Sequence, residues 1–109
     1  MPFVPPHPET LPGPQPDADM QALLAQAVKL GEDGRTEEAF AAYIEILRRA
    51  PADLAALHGL GWLAWRTGRR SAAKSVYEQL VGHWPLDITG RINLGSLLHE
   101  DGDLHGARL

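Results

Sequence analysis

The chain contains no cysteine. That absence excludes disulfide cross-links and every zinc site built on thiolates. No run of 18 apolar residues occurs either, so no segment reads as a membrane span. The opening MPFVPPHP has neither the basic start nor the continuous apolar stretch of a signal peptide. Basic residues are few and scattered, 10 against 14 acids, for a net charge of −4. Residues 1–19 hold Glu9, Asp17 and Asp19 and no lysine or arginine, which leaves the body close to neutral. The RRS at 69–71 and the Arg48-Arg49 pair are too small to neutralise a phosphate backbone, so nucleic acid is excluded as a partner. These readings place the chain in the cytoplasm.

Catalytic patterns are missing as well. No glycine-rich loop follows a strand, because no strand pattern exists. Histidines 7, 58, 83, 99 and 105 are scattered, and His99 and His105 straddle a turn with no third ligand or carboxylate at metal-site spacing. Ser71 and Ser75 have no adjacent histidine. The acids Glu37-Glu38, and Asp101 with Asp103, stand at helix starts, where capping accounts for them. The residues therefore point to no catalytic group, no cofactor and no metal.

Proline is nearly absent from the body. Seven of the nine fall in residues 1–16, MPFVPPHPETLPGPQP. That density excludes helix and sheet and favours extended polyproline II. Residues 1–17 are thus expected to form a flexible arm, and residues 18–109 a single domain.

What the body does have is a period. Gly34, Gly68 and Gly102 recur at 34 residues, as do Ala39, Ala73 and Ala107. Tyr43 matches Tyr77, Pro51 matches Pro85, Leu60 matches Leu94, and Gly61 matches Gly95. Self-similarity at this spacing marks a stacked repeat. The Gly34 column lies in short polar turns, where positive φ ends one helix and lets the next turn back. Pro51 and Pro85 lack an N–H and stop the second helix of each pair. Gly61 and Gly95 fall mid-helix at a cost of ~1 kcal/mol against alanine, which makes sense where another helix approaches closely. Ala73 and Ala107 are its small partners, and Tyr43 and Tyr77 fill the gap towards the next unit.

These columns resemble the tetratricopeptide repeat family. Leu60-Gly61, Ala73-x3-Tyr77 and Pro85 carry its pattern, and Ala39-x3-Tyr43 with Pro51 repeats the second half. Leu57 and Ala64 stand where the family has Trp and Tyr. The resemblance implies an all-α, right-handed α-α superhelix of helix-turn-helix repeats: two full repeats (about 20–51 and 54–85) and an incomplete third (88–109).

Five helices are expected from the apolar spacing: about Met20 to Asp33, from Thr36 to Pro51, Leu54 to Thr67, Arg70 to Trp84, and a fifth from its Asp87 cap to about Glu100. Asp17 or Asp19, Thr36 and Asp53 are the expected caps of the first three. Asp103 is expected to cap a sixth, stopping after six residues at Leu109, too few for a stable helix. The fifth helix then lacks a partner for its apolar face, which points to a longer protein or to self-association through the uncapped C-terminal end.

In the family the first helix of each pair lines a concave groove. Carried onto this chain, the resemblance puts His58, Trp62, Trp65, Arg66, Ile92, Asn93, Ser96 and His99 there, with Leu24, Val28 and Ala55. His58, Trp62 and Trp65 share one helix face, and neither indole occupies the family's tryptophan slot. Packing against neighbouring helices is one account of them; a stacking platform for an extended peptide is the other. Asn93 occupies a slot where the repeats of O-linked N-acetylglucosamine transferases carry a peptide-gripping asparagine, but Ala25 and Gly59 fill its matching positions here.

A two-indole groove beside a proline-rich arm suggests a specific occupant. Sixteen residues of polyproline II at ~3.1 Å each reach about 50 Å, roughly the width of five helices at ~9–10 Å spacing. Phe3, Pro5 and Pro6 are expected to lie across Trp62 and Trp65, in the same chain or a neighbour. The expected function is non-catalytic protein or peptide binding. The alternatives are a substrate-docking part ahead of a glycosyltransferase, sulfotransferase or hydroxylase domain, or a self-assembling scaffold.

Overall fold

In the computed structural model the described residues are Phe3 and 18–106, with side chains described as far as Glu100. The order is α1 (Ala18–Glu32), α2 (Thr36–Arg49), α3 (Leu54–Arg66), α4 (Arg70–His83) and α5 (Ile88–Gly106). No strand occurs among the described residues. α1 pairs with α2 and α3 with α4; α2 then packs on α3 and α4 on α5, building the right-handed stack of helix pairs.

Two turn types alternate, and both repeat almost bond for bond. Gly34 and Gly68 have φ of 80° and 83°, the left-handed conformation that side chains resist. Arg35 N–H donates to the Leu30 carbonyl and Gly34 N–H to that of Gly31; Arg69 to Ala64 and Gly68 to Trp65 form the same pair one unit later. These paired bonds form a Schellman cap, which satisfies carbonyls orphaned by the helix end. The turn is tight enough that Arg35 is already the N-cap of α2, without a side-chain bond. Thr36, expected as the cap, is instead the first helical residue. Glu37 and Glu38 still meet the positive end of that helix.

The other turn is Pro-x-Asp. Asp53 accepts from the Ala56 N–H at 2.9 Å, and Asp87 from the Gly90 N–H at 2.8 Å, so both expected aspartate caps form. α1 begins earlier than expected, at Ala18, with Asp19 inside its first turn; Asp17 lies outside the described residues. The C-terminal expectation needs correction. α5 runs unbroken through Gly102 and Asp103 to Gly106, with no turn there and no separate sixth helix among the described residues. Extending a nucleated helix adds a backbone bond per residue.

α3 is the shared wall of two cores. Ala56 and Leu63 join Met20, Ala27, Ala39, Tyr43 and Ile46 on one side. Leu54, Leu57 and Ala64 join Ala73, Tyr77, Leu80 and Leu97 on the other. A helix apolar on most of its surface belongs in such a central position; on its remaining strip Trp65 packs, partly buried, against the edge of the second core, with Trp62 and Arg66 beside it.

Each mid-helix glycine has its own circumstance. A Cβ on Gly61 would lie 2.8 Å from the Tyr77 ring, so that ring, rather than a neighbouring backbone, fills the space. Gly59 is closer still against the end of the Tyr43 ring, while nothing lies within 4 Å of a Cβ on Gly95. The tight approach expected at Gly61 and Gly95 alike is therefore found at Gly61 and is absent at Gly95. Among the described residues no helix is long and apolar enough to cross a membrane.

Candidate functional site

Trp62 and Trp65 lie one turn apart on the outer strip of α3, their ring centroids 5.3 Å apart and tilted by 35°. Both are partly exposed. Against them lies a ring from far away in the chain. Phe3 stacks on Trp65 at a centroid distance of 4.0 Å with the planes only 8° apart. It meets Trp62 at 6.2 Å, tilted by 42°, and Tyr77 edge-on at 5.8 Å. Edge-to-face packing is a favourable aromatic geometry, and Phe3 makes it with Tyr77 while it stacks on Trp65. Pro5 and Pro6, expected beside it, lie outside the described residues.

Tyr77 is the third wall of this slot, a role the repeat pattern conceals because it sits in the column that fills the stack. It is fully buried, and burial pushes its phenol well above the ordinary value, against the bond from Asn93. The Asn93 amide donates to its hydroxyl at 3.1 Å. The ring is thereby fixed between Gly61, whose missing side chain admits it, and the next unit.

The eight residues expected along the groove divide. Trp62, Trp65 and Ile92 are partly exposed, and Arg66 and His99 are exposed. His58, Asn93 and Ser96 are buried, at 1%, 0% and 3% exposure, so their side chains do not present themselves as an open lining. The reason is polar bonding within the chain. Besides Asn93 on Tyr77, Ser96 Oγ donates to the Ile92 carbonyl at 3.0 Å. Arg66 donates to the Gly31 carbonyl at 2.7 Å, one of the last carbonyls of α1. Of the hydrophobic members, Leu24 packs on the first core, Ala55 is half-buried and Val28 is exposed.

His58 spans two units. Its Nε2 lies 2.8 Å from Asp87 Oδ2, the same oxygen that caps α5. The carboxylate accepts, so Nε2 carries the proton, and Nδ1 has no hydrogen-bond partner. Burial pushes the imidazole below its ordinary value, against the pull of Asp87. The arrangement is an interlock between α3 and α5, with no nucleophile or third ligand beside it; among the described residues no three metal-ligating side chains cluster.

Two further contacts join the units away from this strip. The Trp84 indole N–H donates to the Ala52 carbonyl at 2.7 Å. Arg69 pairs with Glu37 and lies 4.5 Å over the Phe40 ring. The third tryptophan is thus hydrogen-bonded into the scaffold, away from the Trp62–Trp65 pair.

A family model described as tetratricopeptide repeat matches residues 24–69 and 58–109. No curated protein matches the sequence.

Proposed function

Because the chain belongs to the tetratricopeptide repeat family, whose repeats generally mediate protein–protein interaction, we propose that it is a non-catalytic module that binds an extended peptide. The peptide lies along the outer strip of α3 and the neighbouring faces of α1 and α5, anchored at Trp62 and Trp65. The observation that carries this reading is the Phe3 ring stacked on Trp65. A side chain from outside the repeats sits on the partly exposed aromatic strip of α3, at the edge of the second core.

The energetics suit such a role. Burying one aromatic ring contributes ~1.5–3 kcal/mol, and aromatic pairing adds about 0.5–1.5 kcal/mol. One or two such anchors dominate a typical interface. Proline-rich segments, residues 1–16 of this chain among them, fit because polyproline II is already extended and loses little entropy on docking.

A peptide-library selection on the native protein, repeated with Trp62→Ala and Trp65→Ala, tests the proposal. Each substitution is expected to weaken the selected peptides by tenfold or more, about 1.4 kcal/mol. Equal binding by both variants overturns it.

A further inference from the structure

The slot between Trp62, Trp65 and Tyr77 is shaped for one planar ring. Trp65 offers a flat face at stacking distance, and Tyr77 offers the edge-on contact. Tyr77 cannot retreat, since its ring is wedged against Gly61 and its hydroxyl holds Asn93. A branched aliphatic side chain fills such a slot poorly, because it has no flat face to lay on the indole. The resident ring belongs to residue 3, and 14 residues of sequence separate it from the start of α1 at Ala18. A tether of that length presents its ring at an effective concentration on the order of millimolar.

We infer that the Trp62–Trp65–Tyr77 slot is the specificity pocket of the groove, selecting one phenylalanine-type ring on a proline-flanked extended peptide. Phe3 is its built-in competitor. The inference rests on the peptide-binding reading above and names the side chain that reading requires. The partner's chemistry is that of the arm itself, an aromatic ring with prolines close on either side, as in Pro2-Phe3-Val4-Pro5-Pro6. A partner must expel Phe3, so its apparent affinity is reduced by the fraction of molecules in which the slot is already filled.

The probe is a synthetic peptide of residues 1–16, added to the native full chain and to its Phe3→Ala variant, with binding read by tryptophan emission and by calorimetry. Phe3→Ala is expected to bind the added peptide about tenfold or more tightly than the native chain does. A peptide carrying leucine in place of its phenylalanine is expected to bind at least tenfold more weakly to the same variant. The conservative Phe3→Tyr protein is expected to stay closed, like the native chain. Phe3 lies on the surface of the second core and caps no helix, and a melting curve checks that the Phe3→Ala chain remains folded.

Equal affinity of the native and Phe3→Ala chains overturns the competitor role. Equal binding of the phenylalanine and leucine peptides overturns ring selection. In both cases, binding that remains sensitive to Trp62→Ala leaves the broader groove reading standing. Absence of any tryptophan-dependent peptide binding, in this titration and in the library selection, removes both.

Discussion

His58 on α3 and Asp87 at the head of α5 meet at 2.8 Å across 29 residues of sequence, and the same carboxylate oxygen holds the first turn of α5. One aspartate thus fixes the start of the third unit and ties it to the second. The imidazole is 1% exposed and pushed below its ordinary value by burial.

Stability should therefore fall with acid in a defined window. The unfolded chain protonates this histidine near pH ~6.5, whereas the folded chain resists until lower pH. Between those points the unfolded state binds more protons, so stability declines as pH drops below about 6.5 and is level above about 7. The slope from this one group is at most about 1.4 kcal/mol per pH unit. Urea midpoints measured from pH ~7.5 to ~5.5 check it. His58→Gln, which keeps an N–H for Asp87, should flatten the decline; an identical slope in that variant refutes the assignment.

The three mid-helix glycines should respond differently to alanine. At Gly61 a methyl meets the buried Tyr77 ring at 2.8 Å, and Gly59 is blocked by Tyr43. Both substitutions should destabilise by ~1–3 kcal/mol through overpacking, despite the ~1 kcal/mol gain in helix propensity. Gly95 has open space, so Gly95→Ala should stabilise by up to about 1 kcal/mol. Thermal or urea denaturation of the three variants decides it. A destabilised Gly95→Ala would mean that its surroundings are not open.

Tyr77→Phe and Asn93→Ala break the same hydrogen bond. Each should cost about 0.5–1.5 kcal/mol, the usual net contribution of one hydrogen bond. The double variant should cost less than the sum of the two by about 1 kcal/mol, measured as a double-mutant cycle. Strict additivity would show that the bond contributes nothing.

The architecture was legible because its punctuation is local. Positive φ at Gly34 and Gly68, the Pro-x-Asp turns and the 34-residue columns each act within a few residues. The departures arise where tertiary packing decides. Thr36 looks like a cap, yet the Schellman turn consumes the residue before it. Gly102 looks like a third turn, yet α5 continues through it to Gly106.

The site was legible only in part. Trp62 and Trp65 stood out because neither occupies the family's tryptophan slot, and Phe3 stood out as the aromatic of a proline-rich arm. His58, Asn93 and Ser96 share the groove-side spacing, but periodicity reports a helix face and not what lies against it. Asp87, Tyr77 and the Ile92 carbonyl claim those polar groups. Tyr77 was hidden as a slot wall because its repeat column already explained it as core.

The three indole N–H resonances give the most direct measurement. Trp62 and Trp65 stand on the proposed site, whereas Trp84 is bound to the Ala52 carbonyl and serves as an internal control. On titrating the Phe3→Ala chain with the phenylalanine-bearing arm peptide, Trp62 and Trp65 should shift and Trp84 should stay still. Saturating peptide binding that moves Trp84 alone, or leaves all three in place, would contradict a groove centred on α3.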